Sequence, residues 1–297
     1  VELPIEIIRQ IRRLHLRARR AVEDILGGEY HSVFKGAGLS FEEVREYQPG
    51  DDVRSIDWNV TARMGQPFIK RYVEEREQTV LLLTDLSASL RFGTAALPKR
   101  AVTAELVSLL SFCAIANNDR VGLLAFTDRV EQFLPPLKGA RHALRLIRDI
   151  LFHPARGQGT SIANAIDYLN RLRRRRSIVF LISDFLDTGY IRPLRLLASR
   201  HDLIAVRVSD PAERAIAAAG LVWFADAETG RQRLVDTSSR VAVETMKIEF
   251  QSHHADLERL ARAGTIDLID VTTTGNHVDA LIRFFQRRER QAQRHFR

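Results

Sequence analysis

Asp85, Ser87 and Ser89 stand at alternate positions directly behind an apolar run, Val80-Leu81-Leu82-Leu83. One carboxylate and two hydroxyls offer oxygen alone, which suits a hard divalent cation; Mg²⁺ keeps several waters and takes few carboxylates. The same triplet can also cap a following helix, because Asp and Ser are common capping and turn residues. Two further stretches bring oxygens of the same kind. Thr160 follows the loop Pro154-Ala155-Arg156-Gly157-Gln158-Gly159, and Asp184 ends the run Ile178-Val179-Phe180-Leu181-Ile182-Ser183. Two carboxylates and three hydroxyls make a divalent-cation site with a coordination position to spare, provided the fold gathers them.

The runs ahead of these residues indicate what gathers them. Val80-Leu81-Leu82-Leu83, Val121-Gly122-Leu123-Leu124-Ala125-Phe126 and Ile178-Val179-Phe180-Leu181-Ile182 are apolar or glycine throughout, as strands buried on both faces are. Helical spacing lies between them. Val102, Leu106, Leu109, Cys113 and Ala116 mark a helix over 97–116 with Pro98 in its first turn. A second helix is expected over 141–152, and a third carries Ile162, Ala165, Ile166 and Leu169. Residues 130–134 alternate like an edge strand that Pro135-Pro136 would stop. Further strands are expected at 203–208 and 266–271, and helices near 191–199, 243–260 and 278–285. An inserted hairpin is expected at 221–235, turning at Glu228-Thr229-Gly230. Such alternation predicts an α/β fold with a doubly wound, mostly parallel sheet covered on both faces. Ligands of such sheets bind at the carboxyl ends of the strands, where Asp85 and Asp184 stand.

Ahead of this domain, taken as 77–297, residues 1–76 differ in character. Ile7, Ile11, Leu14, Ala18, Ala21 and Ile25 recur at helical spacing until Gly27-Gly28, predicting an amphipathic helix over 4–26. Residues 31–76 then read as a small β-ribbon with strands at 32–35 and 67–73. Its charges, Asp51, Asp52, Asp57 and Glu75 beside Arg54, Arg63 and Arg76, could form an acid–base site. Mutual pairing that fixes the ribbon is the favoured reading, because charges enter a fold when paired.

The 297 residues, 45% hydrophobic and 28% charged, suffice for a full core. The longest apolar stretch, 215–225, is too short for a transmembrane helix, and the first residues lack signal-peptide order, so the cytoplasm is the expected compartment. The lone cysteine, Cys113, falls on an apolar helix face and reads as a buried hydrophobe. A net charge of +8 and a pI of 10.1 point to an acidic partner surface. The arginines crowd 171–176 and 283–297 at helix ends, which reads as a solvated basic face that complements helix dipoles rather than as a nucleic-acid groove.

The order and spacing of the three loops resemble the von Willebrand factor A domain and its metal-ion-dependent adhesion site. Asp119-Arg120-Val121-Gly122-Leu123-Leu124-Ala125-Phe126 looks like that family's second strand. Gly157-Gln158-Gly159-Thr160-Ser161-Ile162 looks like its threonine loop, and Leu181-Ile182-Ser183-Asp184 like its third metal loop. The resemblance implies direct or water-mediated ligation of Mg²⁺, or Mn²⁺, by Asp85, Ser87, Ser89, Thr160 and Asp184. The upstream block is similar to the signature of domain-of-unknown-function family 58. It comprises Gly38-Leu39-Ser40-Phe41, Arg45-Glu46-Tyr47, Gly50-Asp51-Asp52-Val53-Arg54-Ser55-Ile56-Asp57-Trp58, Thr61-Ala62-Arg63 and Glu75-Arg76. In that family the block precedes a von Willebrand A-like domain, and the likeness spans 38–285 here. It implies a role as adaptor or cofactor of a MoxR-type AAA+ ATPase.

The function expected from these features is a metal-dependent protein–protein interaction module and not an enzyme. The open position on Mg²⁺ would accept an Asp or Glu from a partner protein, either the MoxR-type ATPase or its client. A metal-dependent hydrolase is the alternative, but no histidine, lysine or glutamate accompanies the three loops as an evident general base. His253-His254 reads as surface and packing. Nucleic-acid binding through the arginine clusters is the remaining alternative. Neither the P-loop pattern nor the dinucleotide glycine pattern is present.

Overall fold

The computed structural model describes residues 40–73, 77–172, 175–214 and 218–294. They form two compact units, one within 34–78 and one within 79–297. The helix expected over 4–26 and the strand at 32–35 lie outside the described residues.

In the smaller unit, β1 (Ser40–Glu46) pairs antiparallel with a later strand across a segment holding a short helix, α1 (Trp58–Met64). The returning strand is β2 (Phe68–Val73). Helix α1 was not expected. Asp57 starts it by accepting from the Asn59 and Val60 N–H groups at 3.0 and 3.3 Å, and Gly65 closes it at φ +73°. Asp52 likewise caps the turn Val53–Ser55 by accepting from the Arg54 N–H. Asp51 instead forms a two-pronged pair with Arg45 at 2.7 and 2.9 Å, and Arg45 holds its carboxyl below the usual range. Pairing within the ribbon thus occurs at Asp51, through Arg45 rather than Arg54, Arg63 or Arg76, and Asp52 and Asp57 also cap backbone N–H groups. Glu75 and Arg76 lie outside the described residues.

The larger unit begins with β3 (Thr79–Asp85), α2 (Lys99–Ala116), β4 (Arg120–Phe126), β5 (Val130–Leu137), α3 (Ala140–Phe152) and α4 (Ile162–Leu172). It continues with β6 (Ile178–Ser183), α5 (Ile191–Arg200), β7 (Asp202–Ser209), the single turn α6 (Pro211–Arg214), and the hairpin of β8 (Leu221–Ala225) and β9 (Gln232–Asp236). The long α7 (Arg240–Arg262), β10 (Asp267–Thr272) and α8 (His277–Arg294) complete it. Six strands form one sheet in the order β10-β7-β6-β3-β4-β5, parallel except for β5. This is a mixed α/β unit with a mostly parallel central sheet flanked by helices, consistent with a doubly wound fold.

The chain winds outward from β3 through β4 to β5, then returns to lay β6 on the other side of β3. Strands β3 and β6 are thus the neighbours between which the winding reverses. Val80, Leu81, Leu82 and Leu83 are all fully buried, so both faces of β3 are covered. Leu81 and Leu83 join Leu124, Phe126, Val179 and Leu181 in a cluster with Ile162, Ile166 and Leu169 of α4, Leu194 and Leu197 of α5, and Leu257 and Leu260 of α7. By alternation Val80 and Leu82 point to the opposite face, where α2 packs with α3 and α8 beside it. Burial of each such side chain stabilises by about 1.5–3 kcal/mol, which holds the sheet without help from the polar groups at its end. Cys113 is buried in α2, and burial pushes its thiol up to about 12.

Strand β5 does not stop at Pro135-Pro136 but runs through both to Leu137. It is the edge strand, so a missing N–H is tolerated on its open side. Gly122 on β4 makes the approach possible: a Cβ there would lie 3.0 Å from the Pro136 ring. At the opposite edge Arg288 of α8 bonds Asp202 at 2.5 Å and Asp267 at 3.2 Å, so this arginine is committed to structure. Among the described residues no helix is long and apolar enough to cross a membrane.

Candidate metal centre

Asp85 is the last residue of β3, and Asp184 follows directly on β6, so both carboxylates stand at the carboxyl ends of the two strands that flank the reversal. Crevices at such points are where doubly wound sheets bind ligands. Asp85 is fully buried and held by neutral donors: Oδ1 accepts from the Ser87 N–H at 2.8 Å and Oδ2 from the Ser183 hydroxyl at 2.7 Å. Ser87 Oγ and Ser89 Oγ are 2.9 Å apart, so the triplet folds onto itself as a small oxygen cluster. The triplet's short helix, Ala88–Arg91, takes no side-chain cap from Ser87. In this structure Asp85 and the two serines are thus turned on one another, and the capping alternative is not what they do.

The threonine loop is tied to this cluster through backbone. The Ala88 N–H donates to the Gln158 carbonyl at 3.0 Å, and the Ser161 N–H to the Thr127 carbonyl at 2.9 Å. Glu131 of β5 fixes the start of that loop, accepting from the Arg156 and Gly157 N–H groups at 3.0 and 2.7 Å and from the Thr127 hydroxyl at 2.8 Å. Gly157 has to be glycine: a Cβ would fall 1.9 Å from Asp128 Oδ1 and 2.2 Å from Thr127 Oγ1. Helix α4 then starts on a borrowed cap, the Asp187 carboxylate accepting from the Ile162 N–H at 2.8 Å. The third loop thereby supports the second.

Asp184 lies beside two groups that the local sequence around it does not reveal. Lys99 of α2, buried to 1% exposure, bonds Asp184 Oδ2 at 2.8 Å and Glu213 of α6 at 2.5 Å. Burial works to lower the Lys99 pKa, but these two carboxylates outweigh it and raise it, so the ammonium stays charged. His254 of α7, also buried, sets its Nε2 2.9 Å from the Asp184 carbonyl oxygen. Its Nδ1 lies 3.0 Å from the Phe250 carbonyl oxygen, and burial pushes its pKa down, so the ring is set between two carbonyls, to one of which the neutral form donates. The next residue, Phe185, sits fully buried at φ +57°, a left-handed conformation that costs a bulky residue about 1–2 kcal/mol. The Phe185 N–H donates to Ser183 Oγ at 3.1 Å, the same hydroxyl that bonds Asp85. One serine thus joins the strained turn to the first carboxylate.

Thr160 is half-buried and donates its hydroxyl to Glu228 Oε1 at 2.5 Å. Glu228 belongs to the turn between β8 and β9. Its carboxyl is pushed up by burial, with the charge of Asp184 adding to the effect. A histidine, a lysine and a glutamate do meet the loops, His254, Lys99 and Glu228, brought in by elements distant in sequence, and each is engaged in a hydrogen bond there. Of the pair His253-His254, His253 is exposed, and His254 packs against the Phe250 ring with its Nε2 at the Asp184 carbonyl.

Asp85 carries the clearest electrostatic signature. Burial first, and the charge of Asp184 second, push its carboxyl up to about 7 against the opposing hydrogen bonds from Ser183 and Ser87. Asp184 is the more fully engaged of the two carboxylates, with Lys99 on Oδ2 and the Leu186 N–H on Oδ1 at 3.3 Å. Among the described residues no three His, Cys, Asp or Glu side chains cluster as ready-made ligands, so an ion here would draw on the hydroxyls as well. An oxygen-only set of that kind fits Mg²⁺ or Mn²⁺.

The profile of the family described as "Protein of unknown function DUF58" matches residues 43–256. An uncharacterized protein of Mycobacterium bovis is 33% identical over 287 residues, covering 95% of this chain and 90% of its own. An uncharacterized protein of Mycobacterium tuberculosis gives the same figures, 33% identity with 95% and 90% coverage. Among solved structures, the conserved hypothetical protein BatB of Bacteroides thetaiotaomicron is similar at TM-score 0.44 and 16% identity, over 72% of this chain and 99% of that one. An aerotolerance-related membrane protein of Bacteroides fragilis is similar at TM-score 0.47 and 17% identity, over 72% and 99%.

Proposed function

The chain belongs to the DUF58 family, and on that premise we propose that it is a metal-dependent protein-interaction module of von Willebrand factor A type. The observation that carries this reading is the pair Asp85 and Asp184 at the reversal point of the sheet, with the Ser183 hydroxyl on Asp85 and the Ser87 and Ser89 hydroxyls paired in the same turn. Asp85, Ser87, Ser89, Thr160 and Asp184 would hold Mg²⁺ or Mn²⁺, directly or through water. An ion held there would supply a Lewis-acidic position for a carboxylate.

The protein's own groups support binding rather than turnover. Lys99 is held charged between two carboxylates, His254 Nε2 faces a carbonyl, and Glu228 is bonded to Thr160. A hydrolase needs a base free to take a proton from water, and each of these groups is already engaged. An incoming Asp or Glu would add the charge that neutral hydroxyls lack. The partner proposed is a MoxR-type AAA+ ATPase or a client presented to it, as the family resemblance implies.

The test is capture of a cognate MoxR-type ATPase by the full chain at matched ionic strength. Capture should fall with EDTA and with Asp85→Ala, whose removal leaves no buried cation behind. Asp184→Ala is a poorer choice, because it removes one of the two carboxylates that hold the buried Lys99 ammonium. Undiminished capture in chelator and in Asp85→Ala would move the contact away from the metal site.

A further inference from the structure

Glu228 reaches Thr160 across 68 residues of sequence, on a turn built to present it. Asp226 organises that turn. Its Oδ1 accepts from the Glu228 N–H at 2.9 Å, its Oδ2 from the Thr229 hydroxyl at 2.6 Å, and its carbonyl from the Gly230 N–H at 2.9 Å. Gly230 takes φ +69°, which closes the hairpin. With Oε1 on Thr160, the second carboxylate oxygen lies over Gly159, where an added Cβ would meet it at 3.6 Å. The rest of the hairpin is lightly packed: Trp223 is 64% exposed, Leu221 and Leu234 are exposed beside it, and Val235 is its one buried residue. At its root Gly220 stands at φ +74°, and its carbonyl accepts from both the Thr237 N–H and hydroxyl at 2.8 Å.

We propose that Glu228 is an internal occupant of the site, and that the β8–β9 hairpin is a strap which a partner's carboxylate must displace. The inference rests on the metal-site reading and names the regulation of that same site. A hydroxyl that gives its oxygen to a cation turns its hydrogen outward, and here a carboxylate of this chain already takes that hydrogen. A partner's Asp or Glu approaching the same ion meets a like charge at Thr160. Closure therefore discriminates against any carboxylate that brings no further contacts to lift the hairpin. The bond to be broken is one charge-assisted hydrogen bond, and removing it should tighten an incoming carboxylate by about tenfold or more.

The experiment uses the full chain, Mg²⁺, and a capped tripeptide with a central aspartate as probe. Hydrogen exchange of 221–236 is followed with and without peptide, and peptide affinity is measured for wild type, Glu228→Ala and Glu228→Gln. The expected result is faster exchange across 221–236 when peptide binds, and peptide affinity about tenfold higher or more in Glu228→Ala with a Mg²⁺ site still present. Glu228→Gln keeps an acceptor for Thr160 and removes the charge, so it should also bind peptide more tightly if the alanine variant folds poorly. Unchanged peptide affinity in both variants, with Mg²⁺ bound, overturns the strap and leaves the metal reading standing. Loss of Mg²⁺ from both variants makes Glu228 a required ligand and overturns displacement. A wild type that binds no Mg²⁺ overturns both readings.

Discussion

Lys99→Met removes the ammonium that joins α2 to two other segments while keeping an apolar stem of similar length. Lys99 and Asp184 are 1% and 2% exposed, and Glu213 is 12% exposed, with contacts of 2.8 and 2.5 Å. Methionine fills most of the vacated volume, so the cavity contribution is small and the stranded charges dominate. Breaking a buried pair of this kind costs about 3–5 kcal/mol, a large share of a domain's whole stability of about 5–15 kcal/mol. With a urea slope of about 2 kcal/mol per molar, the midpoint should fall by about 2 M. The assay is urea unfolding in EDTA at neutral pH, followed by circular dichroism. A triple variant, Lys99→Met with Asp184→Asn and Glu213→Gln, removes the stranded charges and should recover most of the loss. Mg²⁺ should raise the midpoint more for Lys99→Met than for wild type, because the ion then meets Asp184 with no ammonium beside it. A loss below about 1 kcal/mol in Lys99→Met, or no recovery in the triple variant, would refute the charge argument.

Two other perturbations probe the supports of the site. Burial alone would raise Asp210, but hydrogen bonds from Thr273, Thr94 and the Ala212 N–H outweigh it and hold the carboxyl down to about 2. Its folded value lies below its unfolded one, so its stabilisation is complete above about pH 4 and lost as pH falls towards 2. Asp210→Asn should therefore cost about 1–2 kcal/mol at pH 7, after allowance for screening, and flatten the acid limb of the stability profile measured by urea unfolding. Gly157→Ala places a Cβ 1.9 Å from Asp128 Oδ1 and 2.2 Å from Thr127 Oγ1. The overpacking should lower the melting temperature by about 3–9 °C in calorimetry and weaken Mn²⁺ binding by shifting the loop that carries Thr160.

What could be read from the sequence depends on how local the cause is. Strands β3, β4 and β6 were legible because burial on both faces demands an unbroken apolar run, and the carboxylates terminating β3 and following β6 are then at the sheet's carboxyl edge. The hairpin at 221–235 was legible from its turn residues, and the structure places its strands at Leu221–Ala225 and Gln232–Asp236. Lys99, Glu213, Glu228 and Ser183 were not legible. Their contacts span separations of 85, 114, 68 and 98 residues, and only the winding order brings such partners together. Helix α1 was missed because seven residues give too short a period to recognise, and its signal was the Asp57 cap inside a charged block. The run of β5 through Pro135-Pro136 was hidden for a related reason: it depends on Gly122 of the neighbouring strand leaving room. Within the ribbon, Asp51 is an ion-pair partner whereas Asp52 and Asp57 cap backbone N–H groups, which a charge pattern alone does not distinguish.

The central claim is that the two carboxylates and their hydroxyls hold a divalent ion. Titration of the full chain with Mn²⁺ at mildly alkaline pH, with free ion followed by electron paramagnetic resonance, tests it most directly. The account predicts that wild type takes up one ion per chain and that Asp85→Ala takes up none while its far-ultraviolet circular dichroism is unchanged. Equal uptake by the two folded proteins, or no uptake by wild type, would contradict it.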